Sequence, residues 1–586
     1  MIKKALSIVF SLILLQGTVS LTAQVSLDYM NNRTPSYSEV ISMYEYMAGK
    51  HEKAELITYG KTDTGKPLHL FVISSNGDFS PQSPENSSKR IIMINNAIHA
   101  GEPNGVDASL KFADGILNNR DNLARHLDNT VICIIPVYSI GGFLNRSPHH
   151  RANQKGPEEQ GFRANARNYD LNRDFIKMDT RNTRSFYEIF NKWQPDIFID
   201  THTTNGADYP YVITLIPTQQ SKLHPAVASY MEGEMNPELY EMMEETGYEM
   251  IPYVQSYRGD PRNGIVGFMD HPRYSSGYTS LFNTISFMVE SHMLKPYHER
   301  VLSTYHFLVS VTAFTGANHN EIGRVREKAG KETKNKSTYT LRWQLDTTRY
   351  DTITFRGYET GSRTSDVTGQ QLRYYDREKP YTKQIPYFKH YKPLRQVKAP
   401  AAYLIPQGWD EVVNRLKAAN VEMKRLARDT TLKVGVYYIN DYTTSTRVIS
   451  GRYPHSDIEV SEEIQEIDYY KGDYIVKTNQ PANNYIVQTL EPQGADSFFR
   501  WNFFDPILNR IEYYSPVHFD SIAKQLLENN PELKEEFQRK RSLDEEFAKN
   551  ARAQYNFIYE NSPYFEKTYR RYPVARIKQT GNIEME

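Results

Sequence analysis

Four short apolar runs punctuate the first three hundred residues: IIMINNAI at 91–98, VICIIPVY at 131–138, DIFIDT at 196–201, and Asn283–Val289. Nearly continuous apolar runs of this length are the pattern of strands buried on both faces, as in a sheet covered by helices. Between them, Val106–Asn118 and Arg181–Lys192 carry apolar residues at helical spacing and predict amphipathic helices. Tyr37–Lys53 predicts a further helix, followed by a turn and strand in GKTDTGKPLHLFVISS. Strands alternating with helices argue for an α/β domain. Beyond residue 340 the pattern changes to alternating polar and β-prone residues (TLRWQL, DTITFRGY, KVGVYYI, DYIVKT), interrupted by helix candidates at Trp409–Leu426 and Ile522–Asn556. The charged stretch GRVREKAGKETKNKS lacks large apolar residues and marks a linker at 321–340. The expected organisation is therefore a domain at 24–320, the linker, and a β-rich accessory domain with helices at 341–586.

Length agrees with two domains, since 586 residues exceed one ordinary core. Seventy basic residues balance seventy acidic ones, which speaks against a nucleic-acid partner or a polybasic membrane anchor. The N-terminus is read apart from the fold. Met1-Ile-Lys-Lys is basic, Ala5–Leu15 is apolar, and Thr22-Ala23 is a small-residue exit, the pattern of an export signal over 1–23. After its removal no membrane span is expected, and the destination is periplasmic or extracellular. The single Cys133, inside an apolar run, reads as a core residue.

The first apolar run stops at His99-Ala-Gly-Glu102, amid Gly and Pro. An imidazole and a carboxylate three residues apart meet one cation if the chain turns sharply after a strand, and zinc favours such nitrogen and oxygen ligands. The third run leads into His202 (DIFIDTHTTNG) and the fourth into Glu290 (ISFMVES). Open α/β sheets bind ligands at the carboxyl ends of their strands, so these residues can converge without local motif spacing. RANARNYDLNRDF at 163–175 adds Asp170, Asn172, Arg163 and Arg173. Arg presents a planar fork that grips a carboxylate bidentately, with Asn as a second hook.

HAGE, then GFRANARNYDLNRDF, DTHTT and FMVES, in this order, resemble the zinc carboxypeptidase A family over residues 35–315. The resemblance implies a mixed eight-stranded sheet flanked by helices and one zinc ion per chain. It makes His99, Glu102 and His202 the zinc ligands, Glu290 the general base, and Asp170 the carboxylate orienting the first zinc histidine. Asn172 and Arg173 match the clamp for a substrate's terminal carboxylate, and Arg163 the arginine that stabilises the oxyanion. A tyrosine that closes over the substrate is matched by either Tyr274 or Tyr278.

One departure is Asp174 where the family has Asn, an added negative charge expected to repel a plain terminal carboxylate. The implied activity is an exported metallocarboxypeptidase acting on peptides. The same centre working on peptidoglycan stem peptides or another amide, and a non-catalytic binding homologue, are the alternatives. His149-His150 reads as surface loop, and His292 as a core residue sharing the strand of Glu290. The four Tyr-Tyr pairs of the C-terminal half leave room for cell-wall or glycan contact, although packing is the commoner use.

Overall fold

Alternating burial along each strand decides where the layers lie. The computed structural model describes residues 25–83, 85–204, 206–581 and 583–586, and the expected export signal falls outside them. An eight-stranded sheet is built from β1 (Ala54–Lys61), β2 (Pro67–Ile73), β3 (Arg90–Asn95), β4 (Thr130–Ile135), β5 (Ile197–Thr204), β6 (Ile213–Pro217), β7 (Met250–Pro252) and β8 (Ile285–His292), in the spatial order β1-β2-β4-β3-β5-β8-β6-β7. The central strands β4, β3, β5 and β8 run parallel, while β1, β2 and the β6–β7 pair are antiparallel to their inner neighbours, which makes the sheet mixed.

In β3, Ile92 and Ile94 face one core while Ile91 and Met93 face the other, the period-two consequence of the pleat. The first core is covered by α1 (Tyr37–Lys50), where Ser36 and Glu39 form a capping box, and by α2 (Asn104–Leu117). On the opposite face α3 (Arg181–Trp193), capped by Thr180, packs Phe186, Ile189 and Phe190. Returning to the first face, α4 (Asn236–Glu245) and α5 (Tyr297–Ala317) contribute Leu239, Met243, Val301 and Leu308. Cys133 is buried in β4.

The segment expected as a linker is structured. Most of it is α6 (His319–Thr333), whose Ile322, Val325 and Ala329 are buried at helical spacing while the charges face outward. Small and branched apolar residues suffice to seat this helix, and the density of charge around them hides the pattern in the sequence. The second core also runs without a break from Phe186 and Phe198 to Val412, Tyr485, Phe498 and Trp501, so the C-terminal half covers part of the sheet.

That half is β-rich. A long hairpin, β9 (Asp351–Thr364) with β10 (Gln371–Phe388), pairs through Tyr387 and Phe388 with Ile265 and Val266 of the N-terminal half. Residues from 402 to 577 supply a six-stranded sheet. The single helix expected over 522–556 is four shorter ones, because Asn530, Asp544 and Asn550 each cap a new start and Pro531 cannot continue the helix before it. Among the described residues no helix is long and apolar enough to cross a membrane.

Polar locks join the halves just beneath the predicted site. Lys177 is fully buried, donates to the Ser450 carbonyl at 2.9 Å and lies 3.5 Å from Asp179. Asp179 also accepts from Arg415 at 3.0 Å and from Arg452 at 2.7 Å. Buried Asp496 accepts from the Arg273 backbone at 2.9 Å, from its guanidinium, and from the Trp501 indole at 3.1 Å. Removing one partner of a buried ion pair costs about 3–5 kcal/mol, so these contacts hold the two halves in one arrangement.

Candidate metal centre and cleft

Strand pairing explains why residues nearly two hundred positions apart meet. β5 and β8 are parallel neighbours with Glu290 directly opposite His202. β3 lies on the other side of β5, and beyond its end the chain turns through His99 to Glu102, whose N–H donates to the His99 carbonyl at 2.9 Å, immediately before α2. His99 Nδ1 lies 3.4 Å and His202 Nδ1 3.2 Å from Glu102 Oε2, which also accepts the Thr203 N–H at 2.9 Å. One ligand atom from each of His99, Glu102 and His202 falls within 4.8 Å of the others, and all three residues are buried.

The outer nitrogens are engaged by carboxylates, His99 Nε2 by Asp170 and His202 Nε2 by Asp200, each at 3.0 Å. With Nε2 protonated and donating, each Nδ1 turns a lone pair towards the same point. Two imidazoles and a carboxylate so arranged fit a zinc ion that keeps an open position.

Charge is distributed to match. Burial opposes ionisation of Glu102, but His99 and Arg151 outweigh it and hold the carboxyl well below its ordinary range. Asp170 is also held low, with His99 and Arg163 overcoming its burial. Glu290 behaves oppositely. Burial, reinforced by nearby Glu102, pushes it up to about 7 even though His202 pulls the other way.

The remaining predicted residues surround this centre. Arg163 donates to Glu102 Oε1 at 3.3 Å and to Asp170 Oδ2 at 3.1 Å, with its side chain 41% exposed at the rim. Asn172 is fixed at both ends: its N–H donates to Asp170 Oδ1 at 3.0 Å and its Oδ1 accepts from the Ser275 N–H at 2.9 Å. The Arg173 guanidinium lies 4.4 Å from the ring centre of Tyr274 and donates to the Asn172 carbonyl at 2.8 Å. These residues, with Ile216, Tyr253, Phe268 and Met288, line a cleft of about 160 Å3.

Two expectations are revised. Tyr278 is outside the cleft, fully buried against Tyr187 at 4.6 Å and Phe282 at 5.4 Å. A short helix, Ser275–Thr279, carries it one turn past Tyr274 and into the aromatic core. Asp174 does not face the cleft either. It is fully buried and accepts from the Asp179 and Thr180 N–H groups, from the Thr180 and Thr183 hydroxyls at 2.7 Å, and from Lys177 at 3.4 Å. Its charge is spent inside the protein, so the repulsion expected of it is absent. His292, as a core residue, has Nε2 2.8 Å from the Ala207 carbonyl, and burial lowers it to about 4.

The sequence reading missed Arg151, 2.9 Å from Glu102 Oε1, and Asp200, bonded to His202 and to the Ser275 hydroxyl. Asp200 was discoverable, since residues two apart on a strand share a face and a ligating histidine needs a partner for its second nitrogen. Nothing local distinguishes Arg151, Tyr253 or Phe268.

Comparison with known proteins agrees with this geometry. Residues 40–258 match the model of the zinc carboxypeptidase family, a span that holds His99, Glu102, Arg163, Asp170, Asn172, Arg173 and His202. Carboxypeptidase 2 of Trichophyton rubrum is 21% identical over 454 residues, 75% of this chain and 78% of that protein. Probable carboxypeptidase 2 of Trichophyton verrucosum is 22% identical over 444 residues, 72% of this chain and 77% of that protein. Among solved structures, a metallo-carboxypeptidase from Burkholderia cenocepacia superposes with a TM-score of 0.37 at 15% identity, over 49% of this chain and 69% of that one. Carboxypeptidase A from Helicoverpa armigera gives 0.38 at 14%, over 53% and 77%. Over residues 40–258 the chain is thus similar to the zinc carboxypeptidases, a family of peptide hydrolases.

Proposed function

We propose that this chain is an exported carboxypeptidase that uses one zinc ion, held by His99, Glu102 and His202, to remove C-terminal residues from peptides. The observation that carries the reading is the register of β5 and β8, which sets a raised-pKa carboxylate, Glu290, opposite a metal-ligand histidine. When bound, zinc supplies a Lewis acid for the scissile carbonyl and lowers the pKa of water to about 7. Glu290 accepts the proton of the attacking water on its carboxylate and returns it to the leaving amine. Asp170 and Asp200 keep both histidines in the tautomer that ligates through Nδ1. Arg163 meets the developing oxyanion, a contact whose loss costs about 3–4 kcal/mol in comparable sites. Asn172 and Arg173 hold the substrate's terminal carboxylate, and Tyr274, stacked on Arg173, is the tyrosine that closes over it. Export rests on the signal-like residues 1–23.

The reading in which a cell-wall amide replaces a peptide drew on Asp174 and on the large C-terminal domain, and the inward orientation of Asp174 removes the first of these supports. The test is a mixed peptide library incubated with the mature protein and with Glu290→Gln, read by mass spectrometry. Stepwise loss of C-terminal residues, slowed about 100- to 10,000-fold in a variant that still binds zinc, is the expected result. Intact peptides with stoichiometric zinc would overturn it.

A further inference from the structure

Glu102 uses its two oxygens differently. Oε2 faces His99 Nδ1, His202 Nδ1 and the Thr203 N–H, while Oε1 is taken by Arg151 at 2.9 Å and by Arg163 at 3.3 Å. Arg163 stands at the rim, so the closer and more buried hold belongs to Arg151. Whatever fixes Arg151 therefore orients the ligand. Its Nε donates to Gln154 Oε1 at 3.2 Å, and the Gln154 NH2 donates to the carbonyls of Gly101 at 2.9 Å and Gly156 at 3.1 Å. A glutamine side chain has one acceptor oxygen and two N–H donors, and both ends are engaged here. Gly101 directly precedes Glu102, so Gln154 grips at once the metal-ligand turn and the arginine that crosses it. The crossing is close. A Cβ at position 101 would stand 2.8 Å from Arg151 Cγ and 2.9 Å from the Gly161 carbonyl oxygen, a space that only glycine leaves free.

Behind this loop stands Arg300, in the first turn of α5 and fully buried. Its Nη2 donates to the carbonyls of Lys155 and Gly156, each at 2.6 Å. Its guanidinium carbon lies 5.2 Å from the Tyr297 ring centre, and its Nε and Nη1 have no hydrogen-bond partner. Among the described residues no carboxylate pairs with it. A guanidinium stays charged in a protein interior, and burying one without a counter-ion is destabilising. Two loop carbonyls are what that burial secures, and one of them, that of Gly156, is also held by Gln154. Hydrogen bonds thus run unbroken from α5 through the 154–156 loop and Arg151 to Glu102.

We propose that Gln154 and Arg300 are positioning residues for the metal centre. Arg300 fixes the 154–156 loop, Gln154 fixes Arg151, and Arg151 occupies Oε1 so that Oε2 is the oxygen presented to the metal. The inference rests on the reading of His99, Glu102 and His202 as zinc ligands, and it reaches the reaction only through Glu102.

The experiment measures zinc dissociation constants by competition with a chelator, on the full chain and on Gln154→Met, Arg151→Met and the double variant. Methionine keeps the length of Gln154 and removes its hydrogen bonds, and a loop position tolerates the change. Gln154→Met raises the constant about tenfold or more and lowers kcat while KM stays within about twofold. It also shifts the visible spectrum of the cobalt-loaded protein, which reports ligand geometry and is indifferent to loosening elsewhere in the fold. In the double variant the loss of affinity falls short of the product of the two single losses by about threefold or more, because Gln154 acts through Arg151. Arg300→Met repeats the loss, and Arg300→Lys, whose ammonium offers three donors to the same two carbonyls, recovers it to within about threefold. Stoichiometric zinc in the unaltered chain, with a constant unmoved in Gln154→Met, would overturn the positioning and leave the metal centre standing. Single losses that simply multiply in the double variant would overturn it too. An unaltered chain that binds no zinc would remove the zinc reading, and the positioning with it. The expected pattern of affinities without any hydrolysis would keep the positioning and sink the carboxypeptidase reading.

Discussion

The inward Asp174 yields a prediction in which two readings of one residue disagree. Seen in sequence, it is a stray negative charge beside the clamp, and Asp174→Asn ought to tighten binding of a terminal carboxylate. Seen in structure, Oδ2 accepts three donors (the Thr180 N–H and the Thr180 and Thr183 hydroxyls), and Oδ1 accepts the Asp179 N–H and the Lys177 ammonium. An amide has one acceptor oxygen. Placed towards the threonines, it turns its NH2 against two donors, one of them a buried cation. Each unsatisfied group costs about 1–3 kcal/mol, which agrees with about 3–5 kcal/mol for breaking a buried ion pair. The expected outcome is a loss of about 3–5 kcal/mol in unfolding free energy, with KM for free-acid peptides unchanged within about twofold. Urea titrations followed by both fluorescence and far-ultraviolet dichroism give the first quantity, since agreement of two probes is needed for a chain of this size. Steady-state kinetics on peptides with free and amidated termini give the second. A lowered KM for the free acid at unaltered stability would refute the structural account.

Three further outcomes follow from other buried groups. Asp170→Asn raises the zinc dissociation constant about 10- to 100-fold in competition with a chelator, and an unchanged constant would mean His99 needs no orienting partner. Burial lifts Asp107 to about 7, because two hydroxyls, from Thr34 at 2.7 Å and Tyr297 at 2.6 Å, and nearby Arg146 do not fully compensate. A raised acid binds its proton more tightly in the folded state, so this group's contribution is fully present below about pH 4 and lost as pH rises to about 7. The span corresponds to at most about 4 kcal/mol, and Asp107→Asn flattens that part of the stability–pH curve. Tyr278→Phe leaves kcat/KM within about twofold, whereas Tyr274→Leu removes the stacking partner of Arg173 and raises KM about 2- to 30-fold.

The legible part of this protein is what strand periodicity and strand-end chemistry encode. The runs at 91–98, 196–201 and 283–289 lie in β3, β5 and β8 or at their ends, and the polar residues that end them gather where parallel strands point. Helices Asn104–Leu117 and Arg181–Trp193 stand within a residue or two of their expected bounds for the same reason. Legibility fails where orientation or tertiary contact decides. Asp174 and Tyr278 sit at the correct place in the chain, yet a threonine cluster and an aromatic core turn them away from the cleft. Arg151 comes from a loop with no periodic signal, and the α6 segment reads as a linker because its buried residues are small among many charges. Shared burial between the halves cannot be seen in either half alone.

The locks among Lys177, Asp179, Asp496 and the C-terminal half bear on how such a protein can be inherited and rearranged. Arg273, held by Asp496, immediately precedes Tyr274, and the Lys177–Asp179 corner follows Arg173 by a few residues. A shortened gene ending near residue 320 would still encode His99, Glu102, His202 and Glu290, yet it would release both walls of the cleft they face. Recombination that exchanged the second half for another module would meet the same penalty. The cleft's shape is thus a property of both halves together, although its metal ligands and base all come from the first.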